Sequence, residues 1–370
     1  MSTRNRSGRP RKALRHIVTA AAAAAAIAAF AVFTIAQDTA GAAAPKTVSR
    51  AEKIRRWFVL DALSVATRIK AVRTHSGTDI TDTAQWQFIA KGHFNFDRKG
   101  RYRINAALAT GNSFTASWNN SGIGPAPAQT NLYLKQLYLS ARPIDSVEFQ
   151  VGGIIANNGE NSEITAYDND GFMTGERIIL RSPKHLFFDE ISLTNGFLGD
   201  PTRPDVFYRF RRMNKANYRQ VLARKLLGKR LSFSGDYTFE AGRHTLREAV
   251  KYRFPKGKIL DSVLFENYQR VSPHKAFGFA IWGEKSLAKR FSLSGGFARI
   301  DRELRLNTDR FPPGKRVFVI ASYKPIRELA FTAALIQGVG GLASPATPRT
   351  RLDLVLTYNI LETLKRLRLQ

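Results

Sequence analysis

Residues able to do covalent chemistry are scarce in this 370-residue chain. It has no cysteine, which removes thiolate nucleophiles, disulfides and Cys-based metal centres. Of its six histidines, His75, His93, His185, His244 and His274 lie beyond residue 44, and none has a histidine four residues on to share a metal ion. Asp168-Asn-Asp170-Gly171 opens like a calcium loop but lacks the third spaced acid and the distal Glu, so it reads as a turn. Ser and Asp are plentiful, yet nothing marks a nucleophile, base and orienting acid as a set. No catalytic residue, metal or cofactor is therefore expected. What remains is electrostatics: 58 Lys and Arg against 29 Asp and Glu give a formal charge of +29. Such a balance favours an anionic partner, whether nucleic acid, phosphate-bearing lipid or small anions.

The start of the chain narrows that choice. Arg4, Arg6, Arg9, Arg11, Lys12 and Arg15 precede an Ala-rich apolar run over 17–36, followed by the small-residue tract at 40–44. Basic, apolar, then small is the order of a secretory signal peptide, so 1–44 is read as one, cleaved near 42–44 or at Ala36. An uncleaved anchor is the alternative. Without those six cations and Asp38, the chain's 58 and 29 charged residues become 52 and 28, so the exported part stays strongly basic. Export sets nucleic acid aside.

Beyond residue 60 the dominant pattern is alternation. Leu231, Phe233, Gly235, Tyr237 and Phe239 share one parity, while Ser232, Ser234, Asp236, Thr238 and Glu240 share the other. Leu352, Leu354, Leu356 and Tyr358 alternate with Arg351, Asp353, Val355 and Thr357 in the same way. Successive strand side chains point to opposite faces, so each segment has one apolar and one polar side. A soluble sandwich also alternates. Segments of about ten residues, continued over some three hundred, with Trp86, Phe94, Phe96, Tyr102, Tyr323 and Tyr358 near their ends, favour a transmembrane barrel. In lipid an open sheet edge has no partner, so the barrel must close.

Connector length gives the phase. Short links at 97–100, 142–145, 288–290 and 324–327 belong at one rim, and long links at 74–83, 110–130, 156–174, 301–314 and 340–349 at the other. Lys229-Arg-Leu-Ser-Phe-Ser-Gly235 returns as Lys289-Arg-Phe-Ser-Leu-Ser-Gly295, which fits two repeated hairpins. The register gives sixteen strands between 62 and 361, with eighteen as the alternative. Residues 200–217 break it and are assigned to an outer loop. The fold class is thus all-β, a transmembrane antiparallel β-barrel. Residues 45–61, opening on the capping-box spacing Ser49-x-x-Glu52, read as a short helix or linker. Residues 362–370 read as a basic tail or a partial closing strand.

Taken together, these features resemble the Gram-negative outer-membrane porins. Asn131-Leu-Tyr-Leu-Lys-Gln-Leu-Tyr-Leu-Ser-Ala-Arg-Pro-Ile144, followed by Val147-Glu-Phe-Gln-Val-Gly-Gly153, looks like a hairpin of the substrate-selective members. The resemblance implies an inward-folded constriction loop after the fifth strand, here 156–174, and assembly as a homotrimer. It departs at the end of the chain, where such barrels commonly carry an aromatic and this one ends in Leu369-Gln370.

Parity places Lys91, Arg101, Arg103, Arg230, Arg247, Lys251 and Arg253 on the lumen side, with Arg209 and Arg211 as weaker members from 200–217. Glu160, Glu163, Asp168 and Asp170 of the constriction loop would face this basic wall across the narrow point. Cations lining a wet barrel raise the local potential for anions, and Arg can hold carboxylate or phosphate by two parallel bonds. The expected function is passive diffusion of small hydrophilic solutes, anions preferred, with outer-membrane lipid and lipopolysaccharide as surroundings. The alternatives are an outer-membrane barrel hydrolase of lipase or protease type and a structural or adhesin barrel with a plugged lumen.

Overall fold

The computed structural model describes residues 57–74, 79–113, 116–167, 172–181, 187–199, 202–304, 310–340 and 348–367. The export segment 1–44, the 49–52 spacing, Asp168, Asp170, His75 and His185 lie outside them. The alternating segments fold as β1 (Phe58–Thr74), β2 (Asp79–Asn95), β3 (Tyr102–Thr110), β4 (Asn119–Asn120), β5 (Leu132–Ile144) and β6 (Val147–Ile155). They continue as β7 (Phe172–Arg181), β8 (Glu190–Phe197), β9 (Tyr218–Leu227), β10 (Leu231–Glu240), β11 (Arg243–Arg253) and β12 (Ser262–Ser272). The last are β13 (Ala276–Ala288), β14 (Phe291–Ile300), β15 (Gly314–Tyr323), β16 (Leu329–Gly338) and β17 (Pro348–Asn359).

Sixteen of these are barrel staves, each antiparallel to the next, and β17 returns to β1 from Ser64↔Asn359 to Val72↔Arg351. Closure leaves no unpaired edge for lipid to face. The two-residue β4 is an addition rather than a stave: Asn119 and Asn120 pair with Trp86 and Gln85 of β2. The count is therefore sixteen, not eighteen.

Both ends of the barrel differ from expectation. β1 begins at Phe58, so the last four residues of the 45–61 linker belong to the wall. After β17 the chain does not add strand. Residues Ile360–Arg366 form a helix, capped by Asn359 Oδ1, which accepts the Glu362 N–H at 3.4 Å. This is α2 in chain order, α1 being the five-residue helix Val206–Phe210 between β8 and β9. Helix α2 buries Leu361, packs against β1, and brings Arg366 Nε within 3.0 Å of a Glu328 carboxylate oxygen.

The pleat sorts the side chains as parity requires. On β10, Ser232, Ser234, Asp236, Thr238 and Glu240 are buried within the barrel, whereas Tyr237 on the outward face is exposed. Around the outside, Val151, Ile178, Leu193, Val221, Phe265, Val319 and Leu354 are exposed and form an apolar belt. Aromatics edge this belt at the rim of short turns, where Phe94 and Phe96 meet edge-on at 5.5 Å and Tyr252 and Phe254 at 4.9 Å. The opposite rim carries the long connections, with three exceptions, the first being the link of four residues, 75–78, between β1 and β2 in place of the long one expected over 74–83. β10 and β11 turn through Ala241 and Gly242 alone, both at positive φ (47° and 83°), as a two-residue hairpin requires. β12 and β13 are joined by residues 273–275.

Candidate channel constriction

A sixteen-stranded barrel is wide enough to leave an aqueous bore, so what fills it decides what it can pass. Residues 156–167, the described part of the β6–β7 connection, fold inward and fasten to the β8–β13 wall. Glu266 of β12 is the principal anchor. Its Oε2 accepts the Ser162 N–H at 2.7 Å and the Thr165 hydroxyl at 2.6 Å, and its Oε1 accepts the Ser162 hydroxyl at 2.5 Å and the Trp282 N–H at 3.3 Å. Glu160 N–H donates to Ser234 Oγ at 2.8 Å, and Gln220 Nε2 donates to Asn157 O at 2.8 Å. Gly159 (φ 59°) permits this approach, since a Cβ there would lie 2.6 Å from Ser234 Oγ. Tyr167 donates to Glu240 and packs with Ile154, Met173 and Tyr218. Burial, with the Glu240 charge beside it, pushes the Tyr167 phenol up. At the loop's far side Ile164 joins Phe311, Phe318 and Ile336 in an apolar cluster.

The two described loop acids, Glu160 and Glu163, do not face a basic wall across an open gap. Glu160 meets Arg224 at 2.5 Å, and Glu163 is bonded by Arg310 from the β14–β15 loop. Arg310 also reaches Asp353 of β17 at 3.7 Å, where Arg351 binds the same carboxylate through two nitrogens at 3.0 and 2.8 Å. Arg68 of β1 stands 3.9 Å from it. The described parts of a second connection, 111–113 and 116–131, also lie against the inner wall. Its Trp118 ring lies 4.4 Å from the Arg68 guanidinium, and Lys135 Nζ donates to the carbonyls of Ser113 and Ala116, both at 2.9 Å.

The cations named from parity separate into three groups. Lys91 and Arg103 lie on the inward faces of β2 and β3, half-buried and in no ion pair among the described residues. Arg253 is half-buried at the turn-rim end of β11, and Lys251 stands 3.9 Å from Glu284. Arg247 is beneath the folded-in loop, 1% exposed, bonded to Asp236 at 3.2 Å and lying under the Tyr268 ring. Two residues are not on stave faces at all. Arg101 sits in the β2–β3 turn, reaching Asp145 at 3.4 Å, and Arg230 is exposed in the β9–β10 turn. Each lies one residue outside its strand, where the chain has already turned. Arg209 and Arg211 belong to α1 and its C-cap, not to a strand.

Several lumen residues were not singled out from sequence. Arg351 and Asp353 lay on a recognised polar parity, and Arg68 and Arg177 occupy inward positions of their strands. Arg310 and the Glu266 anchor had no local signal, because their partners in the folded-in loop are 101 to 147 residues away. Arg177 is held by Thr194 Oγ1 at 2.9 Å, Gln150 Oε1 at 3.2 Å and Ile155 O at 2.6 Å, none of them a carboxylate.

Two of the described histidines are held by structural partners: His93 Nδ1 lies 2.8 Å from Asp61 and His244 Nδ1 2.5 Å from the Tyr237 hydroxyl. Among the described residues no group of three His, Asp or Glu side chains converges as a metal site.

A closed sixteen-stave barrel, short turns opposite long loops, and a connection after the fifth stave folded into the bore make up one architecture. A mutant porin from Rh. blastica superimposes with a TM-score of 0.52, at 12% identity over 80% of this chain and 99% of that one. OprB of Pseudomonas putida gives 0.54, at 10% identity over 84% and 95%. The fold is that of a porin. No family model and no curated protein matches the sequence. The likeness of this porin-like barrel is thus carried by backbone architecture, which depends on alternation and turn placement rather than on particular residues.

Proposed function

We propose that this porin-like barrel is an outer-membrane channel for passive diffusion of small hydrophilic solutes, and that it prefers anions. The observation that carries the preference lies on the inner wall of β2–β7, away from the surface to which the loop is fastened. Lys91 and Arg103 face inward there, half-buried and without an ion-pair partner among the described residues, Arg177 beside them is buried on neutral acceptors, and the nearby acids are occupied. Glu148 is bonded by Arg142 at 3.0 Å and Arg181 at 2.8 Å, and Asp61 by His93. Uncompensated positive charge in a water-filled bore concentrates anions and repels cations, with no chemistry required.

Planar-bilayer recording tests both parts. Under a KCl gradient, stepwise ohmic conductance with a reversal potential displaced toward that of chloride is the expected result. Folded, heat-modifiable protein that conducts nothing would favour a plugged structural barrel, and reversal toward potassium would overturn the anion preference. Homotrimeric assembly, implied by the resemblance, is checked by cross-linking in the same membranes.

A further inference from the structure

The connection between β8 and β9 leaves the bore alone and folds over the outside of the wall. Asn217 ties its ends together, its Oδ1 accepting the Leu198 N–H at 2.7 Å and its Nδ2 donating to Leu198 O at 3.0 Å. Between these ties α1 lies across β5, β6 and β7 near the loop rim. Val206 is fully buried over Gly153, where a Cβ would come 2.3 Å from Val206 Cγ2. Thr174 Oγ1 donates to Arg209 O at 3.4 Å. Gly153 shares the parity of the exposed Phe149 and Val151, and Thr174 that of the exposed Ile178. The strap 202–217 therefore sits on the exterior, at the upper edge of the apolar belt.

Its charge is lopsided. Arg203, Arg209, Arg211, Arg212 and Lys215 stand against a single acid, Asp205, whose carboxylate is occupied in accepting the Phe207 N–H at 2.8 Å. Arg203, Arg211, Arg212 and Lys215 are exposed, and none has an ion-pair partner among the described residues. At the turn rim two cations are paired, Lys225 with Asp189 at 3.1 Å and Lys285 with Asp261 at 3.3 Å, whereas Lys229, Arg230 and Lys289 are exposed with no ion pair among the described residues. The Tyr208 ring orients two of the strap cations, Arg203 at 4.7 Å and Arg212 at 5.0 Å. Phe207 beside them is 54% exposed. Directly below, the outer wall has a groove of about 870 Å³, lined by Val151, Ile178, Leu193, Val221 and Arg219. Its one acid, Glu176, is already held by Asn195 Nδ2 at 3.1 Å.

We propose that the strap binds the phosphorylated headgroup of a lipid in the leaflet it faces, with an acyl chain of that lipid lying in the groove. Unpaired guanidiniums at headgroup level suit phosphate oxygens, which they can grip by two parallel bonds, and basic segments at a membrane surface are drawn to anionic headgroups. A free inorganic anion would leave the groove unused. A second copy of the chain docking strap to strap would set like charges against one another.

The test uses the full chain folded in dodecyl maltoside micelles. It is mixed with a bisphosphorylated disaccharide lipid or with the same lipid stripped of both phosphates, and bound lipid is counted by native mass spectrometry. The phosphorylated lipid is expected to be retained at least tenfold better, and inorganic phosphate at the same concentration should fail to displace it. The quadruple substitution Arg203→Gln, Arg211→Gln, Arg212→Gln, Lys215→Gln should lower retention by more than about tenfold, with conductance and heat-modifiable migration unchanged. Equal retention of the two lipids by the unaltered chain overturns the proposal without any variant. Undiminished retention by the quadruple variant, displacement by inorganic phosphate, or a strap-dependent multimer in place of bound lipid would overturn it too.

Discussion

Arg247 and Lys91 share an inward parity, and the folded-in loop gives them different work. Arg247 is enclosed by Asp236, Thr238, Tyr167 and Tyr268. Removing one partner of a buried ion pair leaves the other uncompensated and costs about 3–5 kcal/mol. Arg247→Gln is therefore expected to lower barrel stability by about 3 kcal/mol in urea titrations while leaving the reversal potential where it was. Lys91 and Arg103 are half-buried on the inward face and without an ion pair among the described residues. The double substitution Lys91→Glu, Arg103→Glu should move the reversal potential toward potassium with little loss of stability. If Arg247→Gln shifted selectivity and the double variant did not, the division of the inner wall into buried and solute-facing cations would be wrong.

Glu266 is the principal of several anchors for the folded-in loop, taking two hydroxyls and a backbone N–H from it and an indole N–H from the wall. Orphaned buried donors cost about 1–3 kcal/mol each. Glu266→Ala is expected to free residues 157–167, seen as faster amide exchange there and as added open-channel noise. The short turns offer a pH handle. Asp189 is held below its usual value of 3.8 by the Leu226 N–H and then Lys225, and Asp261 by the Ser286 N–H, the Ser286 hydroxyl and Lys285. A lowered folded-state pKa stabilises above the unfolded value and loses that contribution as pH falls through the folded one. Heat-modifiable migration should thus weaken below about pH 4, and Asp189→Asn with Asp261→Asn should flatten that acid dependence. The staves themselves were legible in sequence because alternation is local and has a fixed period. The loop's anchors were not, since Ser162 and Glu266 meet only after closure. Helix α2 did have a signal, Asn359-x-x-Glu362 with Lys365 and Arg366 at its end, but it was hidden by the strand pattern running into it. Arg101 and Arg230 were misplaced because parity holds only inside a strand, and each sits one residue beyond one.

At the scale of the whole molecule, closure and charge have separate origins. Closure needs only that β17 find β1, which it does over Ser64–Val72. The positive bias of the bore comes from a few inward cations, and a field from such sparse charges is limited by the salt around them. The Debye length is about 10 Å at 0.1 M and about 3 Å at 1 M, against staves of 8 to 17 residues around a bore several side chains wide. At 0.1 M the influence of Lys91 and Arg103 reaches solute in mid-bore, whereas at 1 M it barely extends past the side chains. With the same tenfold KCl gradient, the reversal potential should therefore lie closer to the chloride value around 0.1 M and fall toward zero around 1 M. Selectivity unchanged across that range would mean that solute is sorted by direct contact with bonded groups at the narrow point, and would move the selective element from the β2–β7 wall to the Arg310–Asp353 cluster.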